Sequence, residues 1–290
     1  MRLCLNCRAA FDAATWECPA CTWSPAAGEF PLFAPALAET DEHFPRGSIE
    51  PLAQLESEYF WAPARNELIH WMVAKYFPDA TSLLEVGCGP GAVLAHLRSK
   101  NGGLALTGAD ALPEALRVAR ARIPNAEFLQ ADARAIPYQE EFDVVCALDV
   151  IEHIDEDNVV LEAIAGALRS RGGVVISVPQ HAWLWSAWDE FHRHRRRYSR
   201  SSLLHLLDQA GFEPVRVTSS VMFLLPLAAA SRMRNREVTD RYDAYAELRI
   251  PPFVNRMFGS VMRLERSLIR RGVSLPVGTS LLVAARKRPV

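Results

Sequence analysis

The chain has 290 residues, half of them hydrophobic, with 32 Lys and Arg against 34 Asp and Glu for a formal net charge of −2. That length holds one sizeable α/β domain plus an appendage, and the apolar share is enough for a real core. The near-neutral balance excludes a protein that coats nucleic acid over its whole surface, though not a local basic patch.

Four of the six cysteines fall in the first 21 residues, as Cys4-x2-Cys7 and Cys18-x2-Cys21. Two such knuckles suit one tetrahedral zinc ion. With all four positions taken by thiolates, the expected role is structural or adaptor. A disulfide pair would need an oxidising compartment, which nothing else suggests. Residues 1–24 are therefore read as a zinc-ribbon-like module held together by its metal. Cysteines in place of an apolar run at the start read against a signal peptide. Pro25, Pro31, Pro35 and Pro45 punctuate the next stretch, so residues 25–48 are read as a linker. Glu50 to Phe77 then reads as helical, broken at Pro63.

The segment Leu83-Leu84-Glu85-Val86-Gly87-Cys88-Gly89-Pro90-Gly91 is the most informative in the chain. It reads as a buried strand, a tight turn and a helix start. Alternate glycines allow positive φ and close approach of a ligand, and the free N–H groups of the helix start suit an anionic ligand. Leu104 to Asp110 is a second short strand, and a carboxylate at its end can accept both hydroxyls of a ribose. Ala126 to Ala133 and Phe142 to His153 are two further strands with their turns. Cys88 and Cys146 read as packing residues.

Asp155-Glu156-Asp157-Asn158 opens a helix with apolar residues at 3–4 spacing. Arg169 and Arg171 suit its C-terminal dipole, and Gly172-Gly173 is expected to stop it. Val174 to Val178 is a fifth strand, Ser201 to Ala210 a helix, Glu213 to Thr218 a sixth strand and Ser280 to Ala285 a seventh. Strands alternating with helices imply a mostly parallel sheet covered on both faces. Val221 to Ala230 is too short and too proline-broken to span a bilayer. It is either core or an interfacial helix.

The four strand–turn pieces resemble, in order, the motifs of the class I S-adenosylmethionine (SAM)-dependent methyltransferases, chiefly the quinone-biosynthesis-like and uncharacterised bacterial group. The likeness is good over roughly residues 49–215. It implies a seven-stranded Rossmann-like sheet whose last strand is antiparallel, with a helical insertion before it at 220–278 and the whole domain at 49–290. It implies a SAM site on Glu85, Gly87, Cys88, Gly89, Gly91, Asp110 and Ala111, with Asp132 and the N–H of Ala133 on the adenine and Asp149 beside the methionine end. Tyr59-Phe60-Trp61 and Arg65-Asn66 resemble the helices that cap this pocket, or else pack on the sheet.

Candidate catalytic groups are His153 and His194. His153 is either a base or a helix cap. Asp149, Glu152 and His153 also resemble the acid-x-x-Glu-His metal ligands of some O-methyltransferases, which would give a magnesium site completed by His181 or His194. His181-Ala182-Trp183-Leu184-Trp185 forms either a pocket wall or a lid. Asp189 to Tyr198 is a dense charge run, either a solvated loop or an arginine site for phosphate. In the 220–278 insertion, Arg232, Arg234, Arg236, Tyr242, Tyr245 and a helix from Val254 to Arg271 suit a membrane surface or a lipid-linked anion.

Three readings compete. One is an O- or N-methyltransferase for a small or lipid-linked acceptor, cytoplasmic or peripheral at the inner membrane. The second is an RNA or protein methyltransferase whose zinc ribbon captures a macromolecular partner. No Asn/Asp-Pro-Pro-aromatic motif comes after the fourth strand, which weighs against it. The third is a non-catalytic cofactor-binding subunit, disfavoured by the intact glycine loop, Asp110 and Asp132.

Overall fold

The computed structural model describes residues 1–40, 47–237 and 249–289. Tyr242 and Tyr245 lie outside the described residues.

The N-terminal module is a hairpin of β1 (Arg2–Leu3) and β2 (Ala10–Phe11) that carries the four cysteines at one end. It is docked on the body. The Leu3 N–H donates to the Pro137 carbonyl at 2.9 Å and the Gln139 N–H to the Met1 carbonyl at 2.9 Å. Trp16 packs edge-on against Phe33 and Tyr138, with the Arg2 guanidinium over its face. The proline-punctuated stretch runs beside the sheet. The Phe33 N–H donates to the Gln130 carbonyl at 2.8 Å, and the Gln130 side chain spans the Ala34 and Ala111 carbonyls.

Two helices come next, α1 (Ile49–Glu58) and α2 (Trp61–Tyr76). The break falls at Tyr59-Phe60, before the expected Pro63. A proline in a helix's first turn lacks only an N–H that has no intrahelical acceptor, so Pro63 starts α2 instead of ending a helix.

The body alternates β3 (Ser82–Val86), α3 (Ala92–Lys100), β4 (Ala105–Asp110), α4 (Pro113–Arg122), β5 (Glu127–Gln130), β6 (Phe142–Leu148), α5 (Asp157–Ala167) and β7 (Leu168–Pro179). After a short helix α6 (Ala187–Phe191) come α7 (Arg200–Gln209), β8 (Phe212–Ser220), α8 (Leu225–Arg234), α9 (Pro252–Arg270) and β9 (Ser280–Lys287). The sheet has seven strands in the order β5-β4-β3-β6-β7-β9-β8. The first five are parallel, and β9 is antiparallel to both its neighbours. Strand residues point alternately into two cores. Leu84, Val145 and Ala147 meet α5 and α7 on one face, while Leu83, Val144 and Cys146 meet α2, α3 and α4 on the other. A parallel sheet buried on both faces explains why these strands read as unbroken apolar runs.

A second boundary differs from the sequence expectation. The helix α5 ends at Ala167, not at the glycine pair, and Leu168 already pairs with Phe142 as the start of β7. Gly172-Gly173 lies inside the strand. A Cβ at Gly173 would collide with the Phe77 ring and the Ala285 carbonyl, so glycine is required by packing. No described helix is long and apolar enough to cross a membrane.

Candidate active site

The strand order reverses between β3 and β6, and a cavity of about 580 Å³ opens at the carboxyl ends of these strands. This is where open α/β sheets bind ligands. Its floor is the turn after β3. Gly87, Gly89 and Gly91 all have positive φ, at 66°, 51° and 75°. The N–H groups of Gly87 and Cys88 both donate to the Ala109 carbonyl, which locks the turn against β4. A Cβ at Gly89 would meet nothing within 4 Å, whereas one at Gly91 would sit 2.8 Å from the Ala119 Cβ. Gly89 thus faces open space, and Gly91 lets α3 approach α4.

Nine of the ten residues proposed for the cofactor line this cavity: Glu85, Gly87, Cys88, Gly89, Asp110, Ala111, Asp132, Ala133 and Asp149; Gly91 stands just behind it. The Asp110 carboxylate accepts the N–H groups of Gly89 and Leu112, at 2.8 and 2.9 Å, and so stiffens the glycine turn. Burial pushes its carboxyl up against the pull of those N–H donors. Asp132 holds Arg134 in a two-pronged ion pair. Asp149 has a φ of 58°, and its carboxylate accepts Arg65 Nη1 at 2.8 Å and Ser177 Oγ at 3.0 Å. Arg65 in turn lies over the Trp61 ring. Trp61 and Arg65 line the cavity with Tyr59 and Phe60, whereas Asn66 is buried and ties α2 to the Ala92 carbonyl at 3.4 Å.

The opposite wall carries the titratable groups. His194 Nδ1 lies 2.8 Å from Asp189 Oδ1. Asp189 is fully buried and also accepts Nε and Nη2 of Arg197, at 2.8 and 3.0 Å, and the Ser186 N–H that starts α6. Burial alone would raise its carboxyl, but the His194 hydrogen bond and the Arg197 charge win and hold it down to about 2. The His153 ring stands edge-on to His194 with centroids 4.7 Å apart. Glu152 is fully buried, and no described group hydrogen-bonds either carboxylate oxygen. Burial, then the nearby Asp149 charge, pushes its carboxyl well above the usual carboxylate range. His192, which also lines the cavity, is pushed down to about 4 by burial, with Nδ1 on the Trp188 carbonyl.

The expected magnesium triplet is not assembled. Asp149 is committed to Arg65 and Ser177, and His181 stacks on Trp183 away from the cluster. Glu152, His153 and His194 do come within 4.8 Å of one another. Two imidazoles and one carboxylate are poor donors for magnesium, which prefers oxygen in octahedral array. The charge run is not an open phosphate site either. Arg196 pairs with Asp157 and Asp155, and Arg197 with Asp189. Trp183 and Trp185 are absent from the cavity lining, where Leu184 and Trp188 stand instead.

Sequence reasoning named Asp189 only as part of a charge run and missed its role. The available signal was Ser186-x-x-Asp189, a capping box that fixes the carboxylate, with His194 five residues on.

The four N-terminal cysteines form a separate site. Their sulfurs all lie within 4.8 Å, with Cys4–Cys21 at 3.6 Å and Cys7–Cys18 at 3.7 Å. These distances exclude disulfides, and all four are free thiols. They match the edge of a thiolate tetrahedron about 3.8 Å on a side around zinc. The two knuckles repeat one conformation. Arg8 and Thr22, each just after the second cysteine, have φ of 64° and 60°, and their N–H groups return to the Cys4 and Cys18 carbonyls.

The chain is similar to several known proteins. The methyltransferase-domain family matches residues 54–217, more than half of it. A ubiquinone biosynthesis O-methyltransferase of Idiomarina loihiensis is 27% identical over 158 residues, 48% of this chain and 64% of that one. A trans-aconitate 2-methyltransferase of Azoarcus sp. is 31% identical over 103 residues, 36% of this chain and 41% of that one. The chain thus spans about half the length of the curated relatives it matches. Among solved structures, the Haemonchus contortus phosphoethanolamine N-methyltransferase 2 in complex with S-adenosyl-L-methionine superposes with a TM-score of 0.51 at 17% identity, over 77% of this chain and 53% of that one. With the glycine turn, the acid after β4 and the antiparallel β9 in place, these matches show that the chain belongs to the class I SAM-dependent methyltransferases.

Proposed function

We propose that the chain moves a methyl group from SAM to an oxygen or nitrogen of a small or lipid-linked acceptor, with His194 as the base and Asp189 as the residue that positions it. His194, held by buried Asp189 and lining the same cavity as the glycine turn, carries this reading. The residues present fit SAM. The turn offers space at Gly89, and Asp110, Asp132 and Ala133 line the same cavity; on this reading Asp110 takes the ribose hydroxyls, and Asp132 and the Ala133 N–H take the adenine. Asp149, immobilised by Arg65 and Ser177, takes the amino-acid end. When bound, SAM supplies a methyl group on a sulfonium, open to in-line displacement.

The chain's own part is to orient and to move a proton. Asp189 fixes the His194 ring, so that Nε2 can take the acceptor's proton, and its negative charge stabilises the imidazolium that forms. Glu152, buried in the cavity wall, keeps both carboxyl oxygens free of hydrogen bonds from the described residues. Leu224, Leu227 and Phe258 line the cavity with apolar surface, which favours an apolar acceptor. The name of one relative, a ubiquinone biosynthesis O-methyltransferase, supports an oxygen acceptor. On the N-terminal module we propose one structural zinc held by Cys4, Cys7, Cys18 and Cys21. Thiolates kept for metal suit a reducing compartment, so the cytoplasm is the expected site of action.

The test is incubation with SAM labelled on its methyl group and a lysate of the source organism, with separation into RNA, protein, organic-extractable and small-solute fractions. Label is expected in the organic or small-solute fraction and lost in His194→Ala. Label in RNA or protein instead would make the ribbon a substrate clamp. No label despite cofactor binding would favour a non-catalytic subunit.

A further inference from the structure

Helix α9 has two unlike faces. Its inner face buries Met262, Glu265 and Ile269, and Phe258 packs on Phe60 while lining the cavity. Glu265 receives the N–H groups of Val221, Met222 and Phe223, so α9 also anchors the start of α8. On the outer face Phe253 is 69% exposed, Met257 46% and Leu264 57%. At about 100° per residue these three fall within about 40° of one another around the helix. Arg256, Arg263 and Arg270, all exposed, recur at intervals of seven and form a row along one flank of that ridge.

The described part of the insertion is unusually apolar outside. Of the twelve large hydrophobic side chains exposed among the described residues, eight lie between Phe223 and Val277. Leu227, 57% exposed, also lines the cavity, so the mouth of the site opens on this insertion.

We infer that the outer face of α9 lies on an anionic phospholipid surface, with Phe253, Met257 and Leu264 among the acyl chains and the arginine row on the headgroups. Charge selects this occupant. The only acid in α9 is Glu265, which is buried inward, so every charge on the helix's outer face is positive. A second copy meeting it face to face would set arginine against arginine. An anionic bilayer supplies negative charge along the whole row and apolar depth for the ridge. Docking by α9 does not depend on which acceptor is methylated, though it would bring the cavity mouth towards a lipid-borne one.

The experiment is co-sedimentation of the full chain with vesicles of phosphatidylcholine alone or mixed with phosphatidylglycerol. Binding is expected only to the mixed vesicles, and it should weaken as salt rises. Arg256→Gln with Arg263→Gln should lower the partition coefficient by about 30-fold. Phe253→Ser with Leu264→Ser should also release the protein. None of the four residues lines the cavity, so S-adenosylhomocysteine affinity by calorimetry should stay at the wild-type value in both variants. Absence of binding to the mixed vesicles would overturn the inference. So would binding that both variants retain, or a dimer in sedimentation velocity that Phe253→Ser with Leu264→Ser dissolves.

Discussion

Asp189→Asn separates the two roles that the buried carboxylate plays. The substitution keeps shape but removes the charge that faces His194 and Arg197, which is itself only 4% exposed. Leaving a buried guanidinium without its partner costs about 3–5 kcal/mol, measurable as a shift of the urea midpoint at neutral pH. The pH dependence gives a second reading. Asp189 is held down to about 2 in the folded chain, against about 3.9 when unfolded. Its contribution is therefore complete above about pH 4 and is lost as pH falls towards 2, a difference of about 2–3 kcal/mol. That acid limb should shrink in the variant. Activity should fall by on the order of 10²- to 10⁴-fold through loss of an oriented base. Asp189 does not line the cavity, so S-adenosylhomocysteine affinity should hold. A folded variant with undiminished turnover would refute the assignment of His194 as a base held by Asp189.

Three further outcomes are expected. Gly89→Arg projects a side chain into open cavity and should abolish cofactor binding in calorimetry while leaving the ribbon metallated. Asp110→Ala removes the proposed ribose acceptor, together with the bond from the Gly89 N–H in the glycine turn and that from the Leu112 N–H before α4. It should weaken SAM and S-adenosylhomocysteine alike, on the order of 10²-fold, since each charge-assisted hydrogen bond contributes about 1.5–3 kcal/mol; unchanged affinities would remove Asp110 from the site. Elemental analysis should find about one zinc per chain, lost in Cys4→Ser with Cys21→Ser, and a zinc-free wild type would end that proposal.

The parts of the site legible in the sequence are those fixed by local chemistry. The glycine turn, the acid closing β4 and the paired Cys-x2-Cys knuckles each need particular residues at short spacing. What escaped depends on partners brought from elsewhere. Arg65 reaches Asp149 across 84 positions, and Arg196 reaches Asp157 across 39, so a run that looked like an anion site has largely internal uses. The end of α5 was hidden for a similar reason. A glycine pair stops helices locally, but the pairing of Leu168 with Phe142 had already claimed the chain for the sheet. Pro63 misled because proline breaks a helix interior yet begins a helix well. The magnesium triplet had the right spacing, and only the Arg65 and Ser177 contacts show Asp149 to be engaged.

The most direct measurement is a crystal structure with S-adenosylhomocysteine bound. The ribose hydroxyls are expected on Asp110, the adenine beside Asp132 and Ala133, and the sulfur turned towards Glu152, His153 and His194. A ligand seated elsewhere, or one whose sulfur points away from His194, would contradict the account.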